Sequence, residues 1–339
     1  MENRYIRQEA FWGIGKDGQE KLKTARVAIV GLGALGTVTA NHLTRAGVGY
    51  IRLIDRDYVE LNNLQRQSLF DEADAEKAVP KAIAAYEHLL RINSQIALEP
   101  VITDVNSSNI DSLIGDVDLI VDATDNFEVR FLINEACHVW KKPWIYGAAV
   151  GAYGLTMNFL AKEDSPCLCC LIGEELSAPG TEPTCATAGV LNTLTNIIAS
   201  LQSTEAIKIL TGSDAVRKEL VAVDLWNNTF DSMILKKDPE CPVCCGEKYE
   251  FYGRYRGVQS TSLCGRDSVQ VIPEQEADID FAAFALKLNP LGKVSYTKYT
   301  LDFDDGNVQI KLFRNGRAII KHVNDENRAK SIYSEYIGL

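Results

Sequence analysis

The chain has 339 residues, a formal net charge of -11, 46% apolar residues and 24% charged residues. That length holds one large domain with a smaller one, or two domains, and the composition is that of a globular protein. The acidic balance argues against general affinity for nucleic acid or an anionic membrane, and no apolar run reaches the roughly 20 residues of a membrane span.

The first eight residues, Met1 to Gln8, are polar and carry no signal-peptide core. The expected compartment is therefore the cytoplasm. The nine cysteines are expected there to be reduced, metal-bound or reactive, not paired as disulfides. A short helix over Asp17 to Lys23 leads into an alternation of strands and helices. Strands are expected at 26–30, 50–54, 97–101, 118–121 and 143–148, with helices at 34–46, 77–92, 107–114 and 127–140. Continuous apolar strands such as Leu119-Ile120-Val121 read as buried in a parallel sheet. The alternation predicts an α/β, Rossmann-like, doubly wound sheet whose ligands sit beyond the strand C-termini.

After Gly147 the pattern changes. Residues 148–160 read as one or two strands, and 163–187, rich in Pro, Gly, Cys and Thr, as a long irregular crossover. A helix follows at 188–211, ended by Gly212, then strands at 218–225 and 229–235. A boundary near Gly246 divides the chain into 1–246 and 247–339. The second part reads as a small α+β module. It has strands at 268–271, 299–303, 308–312 and 318–321, turns at Asp304-Asp305-Gly306-Asn307 and Asn315-Gly316, and a closing helix from Glu326 to Tyr336.

The chemistry-bearing residues begin with Gly31, Gly33 and Gly36, a Gly-x-Gly-x-x-Gly turn after a buried strand. Such glycines let backbone N–H groups approach phosphate at a helix N-terminus. Asp55 follows at a strand end, where a carboxylate can bind ribose hydroxyls. A purely structural glycine turn, and NAD binding, fit these residues too. Asn63, Gln65, Arg66 and Gln67 form a polar cluster, and guanidinium is a natural phosphate partner. Lys81 stands just past Pro80, where an ammonium can meet a phosphate. Asp125, in Thr124-Asp125-Asn126, can hold Mg²⁺ at a strand end or cap the following helix, as can Asp122 or Asn126 in the second role. An acid for ribose, two cations for phosphate and a carboxylate for a metal suit ATP chemistry better than hydride transfer.

The spacing Cys167-x-x-Cys170 and Cys241-x-x-Cys244 makes a four-thiolate set suited to structural Zn²⁺. Cys169 and Cys245 compete as ligands, and redox use is the rival reading. Cys185 lies outside the pairs, before a helix start that would favour its thiolate. The bland alternative is a small buried hydrophobe.

Together these motifs, from Arg4-Tyr5-Ile6-Arg7-Gln8 to about Cys244, resemble the ThiF/MoeB family of E1-like adenylyltransferases, in particular the Gram-positive bacterial type. The resemblance implies an E1-like adenylation fold that binds ATP and Mg²⁺. It implies a partner, the Gly-Gly tail of a ubiquitin-like sulfur carrier (ThiS or MoaD type), whose carboxylate is adenylylated with release of pyrophosphate. Thiamin thiazole or molybdopterin synthesis would follow. It places Asp55 on ribose, Arg66 and Lys81 on phosphates, Asn63 and Gln67 beside them, and Asp125 on Mg²⁺. Asn126 adjoins that carboxylate in the nucleotide site. Arg7 matches an arginine that reaches the neighbouring subunit's ATP, which implies a homodimer. Cys185 matches a crossover-loop cysteine used by some members in sulfur transfer or a covalent intermediate. No rhodanese loop surrounds Cys264, so a separate sulfur donor protein is implied. The competing expectations are E1-like adenylation of a peptide in natural-product synthesis, an NAD-dependent oxidoreductase, and a non-catalytic scaffold.

Overall fold

The computed structural model describes residues 3–173, 188–253, 259–262, 268–273, 277–323 and 325–338. The chain divides into two compact units, Met1–Arg254 and Tyr255–Leu339.

The first unit opens with two helices, α1 (Ile6–Glu9) and α2 (Gly15–Thr24). The alternation follows: β1 (Arg26–Val30), α3 (Ala34–Ala46), β2 (Tyr50–Ile54), α4 (Glu72–Glu76), α5 (Lys81–Ile92), β3 (Ala97–Val101), α6 (Ile110–Ile114), β4 (Leu119–Asp122), α7 (Phe127–Val139) and β5 (Trp144–Val150). Then come β6 (Tyr153–Phe159), α8 (Leu168–Ile172), α9 (Asn192–Thr211), β7 (Glu219–Asp224) and β8 (Thr229–Ile234). The eight strands form one sheet in the order β3-β2-β1-β4-β5-β6-β7-β8. From β3 to β5 the pairs are parallel; β6, β7 and β8 add antiparallel. Strand order reverses direction at β1, which lies between β2 and β4, and this is the switch point where such sheets open a crevice.

The central strands are apolar because both faces are covered. Ile29, Leu53, Leu119, Ile120 and Val121 have no exposed surface. Helix bounds differ from the sequence expectation where a local signal intervenes. The expected 77–92 helix starts at Lys81, with Pro80 in extended conformation as its N-cap. Ahead of it α4 is a separate turn, closed by a reciprocal capping box between Asp71 and Asp74. The 107–114 helix begins at Ile110 and the 188–211 helix at Asn192, while Gly212 ends the latter in the left-handed region at φ 71°.

The second unit has β9 (Gln259–Ser262), β10 (Ser268–Ile272), α10 (Phe281–Leu288), β11 (Lys293–Tyr296), β12 (Thr300–Asp304), β13 (Gln309–Phe313), β14 (Ala318–Lys321) and α11 (Glu326–Tyr336). Its antiparallel sheet runs β11-β12-β13-β14-β10-β9. Val269, Val271, Leu301, Phe303, Ile310, Leu312 and Ile320 pack with Phe281, Ala285, Ile332 and Tyr333 of the two helices. The unforeseen α10 is capped by Asp280, whose side chain accepts from Ala282 N. Residues 249–252 pack within the first unit, beyond the boundary drawn at Gly246.

Candidate active site and thiolate centre

The glycine turn lies at the switch point. Gly31 N donates to Ile54 O at 2.8 Å, and Ala123 N donates to Val30 O at 2.9 Å. The ends of β1, β2 and β4 are thus pinned together. Gly31 has φ +90°, and a Cβ there would lie 2.7 Å from Ala123 O. Gly36 approaches the Gly31 carbonyl so closely that a Cβ would stand 1.9 Å from its oxygen. Gly33 differs: a Cβ would meet only Gln67 Nε2, at 3.9 Å. It is also the N-cap of α3 and supplies no side-chain cap. The first-turn N–H groups of α3 are therefore not consumed by a side chain, as anion binding requires.

Asp55 has a role beyond the expected one. Its Oδ2 accepts from Leu32 N at 2.7 Å and its Oδ1 from Asp57 N at 2.7 Å, so it ties the glycine turn to the end of β2. Burial pushes its carboxyl above the ordinary range, opposed by the charge of Lys81. The Lys81 side chain is buried and reaches Asp57 Oδ2 at 3.5 Å, while Lys81 N donates to Asp57 O at 2.8 Å. Beside them Arg56 pairs with Asp104 at 2.6 Å. Burial works against the Arg56 charge, and Asp104 and Asp57 more than offset it. Asp57, Arg56 and Asp104 escaped the sequence reading. The signal for Asp57 was a second carboxylate two residues after the first.

A third clamp shapes the rim after β4. Asp122 is fully buried; its Oδ1 accepts from Thr124 N and Oγ1, and its Oδ2 lies 3.2 Å from Arg130 Nε. Arg130 also donates to Thr124 O at 2.5 Å and Gly147 O at 3.0 Å. Burial pushes the Asp122 carboxyl up, opposed by Arg130. Asp125 projects from this clamped turn. It is exposed and, among the described residues, has no hydrogen bond or ion pair. Its field still bears on Arg56 and Arg130. The cap of α7 is Asn126, whose Oδ1 accepts from Glu128 N at 2.9 Å, so Asp125 is not spent on that task.

The polar cluster splits by burial. Asn63 is buried in a short 3₁₀ turn, where its Oδ1 accepts from Glu60 N. Gln67 is buried too, and its Oε1 has no partner among the described residues. Arg66 is half-buried and donates to Asn62 O at 2.9 Å. Arg7, on α1, is exposed and has no hydrogen bond or ion pair among the described residues.

Cys167, Cys170, Cys241 and Cys244 converge, with all four sulfurs within 4.8 Å of one another. Measured Sγ–Sγ separations are 3.9 Å (Cys167–Cys170), 3.6 Å (Cys167–Cys241) and 3.5 Å (Cys170–Cys244). A tetrahedron of thiolates at the usual Zn–S length has edges of about 3.8 Å, so the donor set fits zinc. The rivals turn elsewhere: Cys169 Sγ lies 3.6 Å from Gly173 O, and Cys245 is exposed with Sγ 3.2 Å from Asp238 O. Cys185 and Cys264 lie outside the described residues.

Comparison with known proteins supplies the context for this geometry. The ThiF family matches residues 5–243. The chain is 42% identical, over 100% of both sequences, to the sulfur carrier protein ThiS adenylyltransferase of Bacillus subtilis (strain 168). It is 40% identical over 245 residues to the molybdopterin-synthase adenylyltransferase of Escherichia coli (strain K12), covering 71% of this chain and 95% of that one. Among solved structures, E. coli MccB with ATP superposes with a TM-score of 0.61 at 24% identity, over 72% of this chain and 75% of that one; this likeness bears on fold. No described helix is long and apolar enough to cross a membrane. The family match and the two relatives, taken with the glycine turn, the charged rim and the thiolate set, place the chain in the ThiF family of adenylyltransferases.

Proposed function

We propose that the chain adenylylates the C-terminal carboxylate of a ubiquitin-like sulfur carrier of the ThiS type, in thiamin synthesis. The observation that carries this reading is the likeness to the B. subtilis enzyme along the whole chain, second unit included. The rim chemistry supports it. The N–H groups at the start of α3, with Lys81 and Arg66, orient the triphosphate; Asp55 accepts from ribose hydroxyls, with Asn63, Gln67 and Asn126 around the nucleotide. Asp125, an oxygen donor left without a partner, would hold Mg²⁺, which offsets phosphate charge when bound. A carrier carboxylate oxygen attacks the α-phosphorus, and the bond to pyrophosphate breaks. That nucleophile is already ionised, so the site needs positioning and charge, not a general base.

Cys167, Cys170, Cys241 and Cys244 would hold Zn²⁺ as a structural cross-link between the crossover and the end of the first unit. Exposed Arg7 is read as the group that a second copy supplies, making the working unit a homodimer. Cys185 is read as the residue for sulfur transfer from a separate donor protein. The described cysteines form no disulfide with one another, which accords with a cytoplasmic setting.

A MoaD-type carrier in molybdopterin synthesis is the second reading, favoured by the 40% identity to the E. coli enzyme over 71% of this chain. ATP–pyrophosphate exchange decides between them. Purified protein with Mg²⁺ would be given ThiS-type or MoaD-type carriers, each intact and lacking its last glycine. Exchange with an intact ThiS-type tail alone is expected. Preference for the MoaD type selects the second reading, and exchange with neither, or with a short peptide instead, overturns both.

A further inference from the structure

Helix α7 leads from the catalytic rim to the thiolate centre, and two neighbouring side chains on it grip the backbone on both sides of that centre. Asn134 Oδ1 accepts from Leu168 N at 2.9 Å. Leu168 follows Cys167, the N-cap of α8, which makes no cap bond of its own. Asn134 thus supplies the missing acceptor from another helix. Its Nδ2 is buried with no partner among the described residues, so the bond this amide makes there is the one its oxygen accepts. Glu135, 2% exposed, accepts from three successive N–H groups: Glu250 at 3.0 Å, Phe251 at 2.8 Å and Tyr252 at 2.7 Å. The same strap is held by Phe251 stacked on Phe131 at 5.3 Å and by Tyr249 Oη at 3.0 Å from His138 Nδ1. Tight turns connect the strap to the second cysteine pair: Glu247 N donates to Val243 O and Lys248 N to Pro242 O.

Bringing four thiolates together sets loop entropy and mutual repulsion against metal binding, and a scaffold that fixes the loops beforehand lowers that cost. We propose that Asn134 and Glu135 are positioning residues of the thiolate centre. α7 holds Cys167 and Cys170 through Leu168 N, and Cys241 and Cys244 through the 250–252 strap, independently of the metal. This rests on reading the four cysteines as a zinc site.

The test uses the full chain loaded with Zn²⁺, and a chromogenic chelator that reports both zinc affinity by competition and release rate. Outer partners of metal ligands typically matter by 10–100-fold. Glu135→Ala is therefore expected to weaken zinc binding about tenfold or more, and Asn134→Leu by a smaller factor. Cobalt-substituted variants should keep the parent's thiolate charge-transfer band once saturated, because the four ligands remain. Thermal midpoints with and without metal separate positioning from general weakening: a positioning role shrinks the gap between loaded and metal-free protein, whereas general weakening lowers both equally. Zinc affinity equal to the parent's in both variants, or an unchanged gap, would falsify the proposal. Should Glu135→Ala not fold, Glu135→Gln and Asn134→Leu carry the same comparison. A parent chain that takes up no zinc at all would instead overturn the zinc reading.

Discussion

The candidate catalytic rim and the thiolate centre stand in the same unit and are built on opposite plans. At the rim, polar groups are left over: among the described residues Asp125 is exposed and unpaired and Gln67 Oε1 is buried without a partner, and a Cβ on Gly33 would meet only Gln67 Nε2. At the thiolate centre the four candidate ligand atoms are turned on one another. The four sulfurs face one another at 3.5–3.9 Å in the measured pairs, and the neighbouring thiols point away. An open arrangement waits for reactants that come and go, and a closed one for an ion that stays. Function at the rim should therefore be sensitive to changes that stability ignores, with the reverse at the centre.

The largest expected effect tests the open side. Asp125→Ala should slow ATP–pyrophosphate exchange by about 100-fold or more while the unfolding midpoint stays within experimental scatter, because an exposed side chain without partners contributes little to folding. A comparable loss of stability would break the contrast. Lys81→Met should next cost both, since Lys81 is proposed to serve the phosphates and also compensates buried Asp55 and part-exposed Asp57. Exchange should fall by about tenfold to 100-fold and urea-induced unfolding should show a loss of about 1–3 kcal/mol.

On the closed side, Cys244→Ser should lower zinc content measured by elemental analysis and drop the melting temperature by several degrees. Exchange by the protein that remains folded should change less than threefold. A fall as deep as that of Asp125→Ala would show that the two sites are not separate in function. The smallest effect concerns the strap. Burial holds His138 below its ordinary range, with Glu247 opposing and Lys237 and Lys141 adding to it. A lowered folded-state value means that the unfolded chain takes the proton first. The stability of the neutral form is then complete above about pH 6.5 and declines as pH falls below it, by less than about 1 kcal/mol. Melting curves at pH 7.5 and 5.5 should show a small drop, reduced in His138→Asn. Burial also lowers His42, so some of the drop should survive that substitution.

What the sequence disclosed about these regions follows from how far apart the interacting residues lie. The parallel strands were legible because continuous apolar runs between glycine and acidic punctuation have few other readings, and β1, β2 and β3 fall on the expected residues. The glycine turn, Asp55 and both Cys-x-x-Cys pairs were visible as local spacing. The clamps were not. Arg130 acts on Asp122 eight residues back and on Gly147 seventeen ahead, and Glu135 grips backbone 115 to 117 residues away. A backbone N–H leaves no mark in a sequence, so a carboxylate devoted to three of them reads as one more surface glutamate. Helix α10 was a different failure. Its Asp cap and the run Phe281-Ala282-Ala283-Phe284 gave a signal, lost between segments without clear periodicity.

The contact of Gly36 with the Gly31 carbonyl has a hereditary consequence. Every other amino acid carries a β-carbon, and any β-carbon at position 36 would fall 1.9 Å from that oxygen. No missense change in this codon can be absorbed by repacking a neighbour, because the obstructing atom is main chain. A library of all substitutions selected for folding alone should leave that column empty, while the column for Gly33, where a Cβ would meet only Gln67 Nε2 at 3.9 Å, retains small residues.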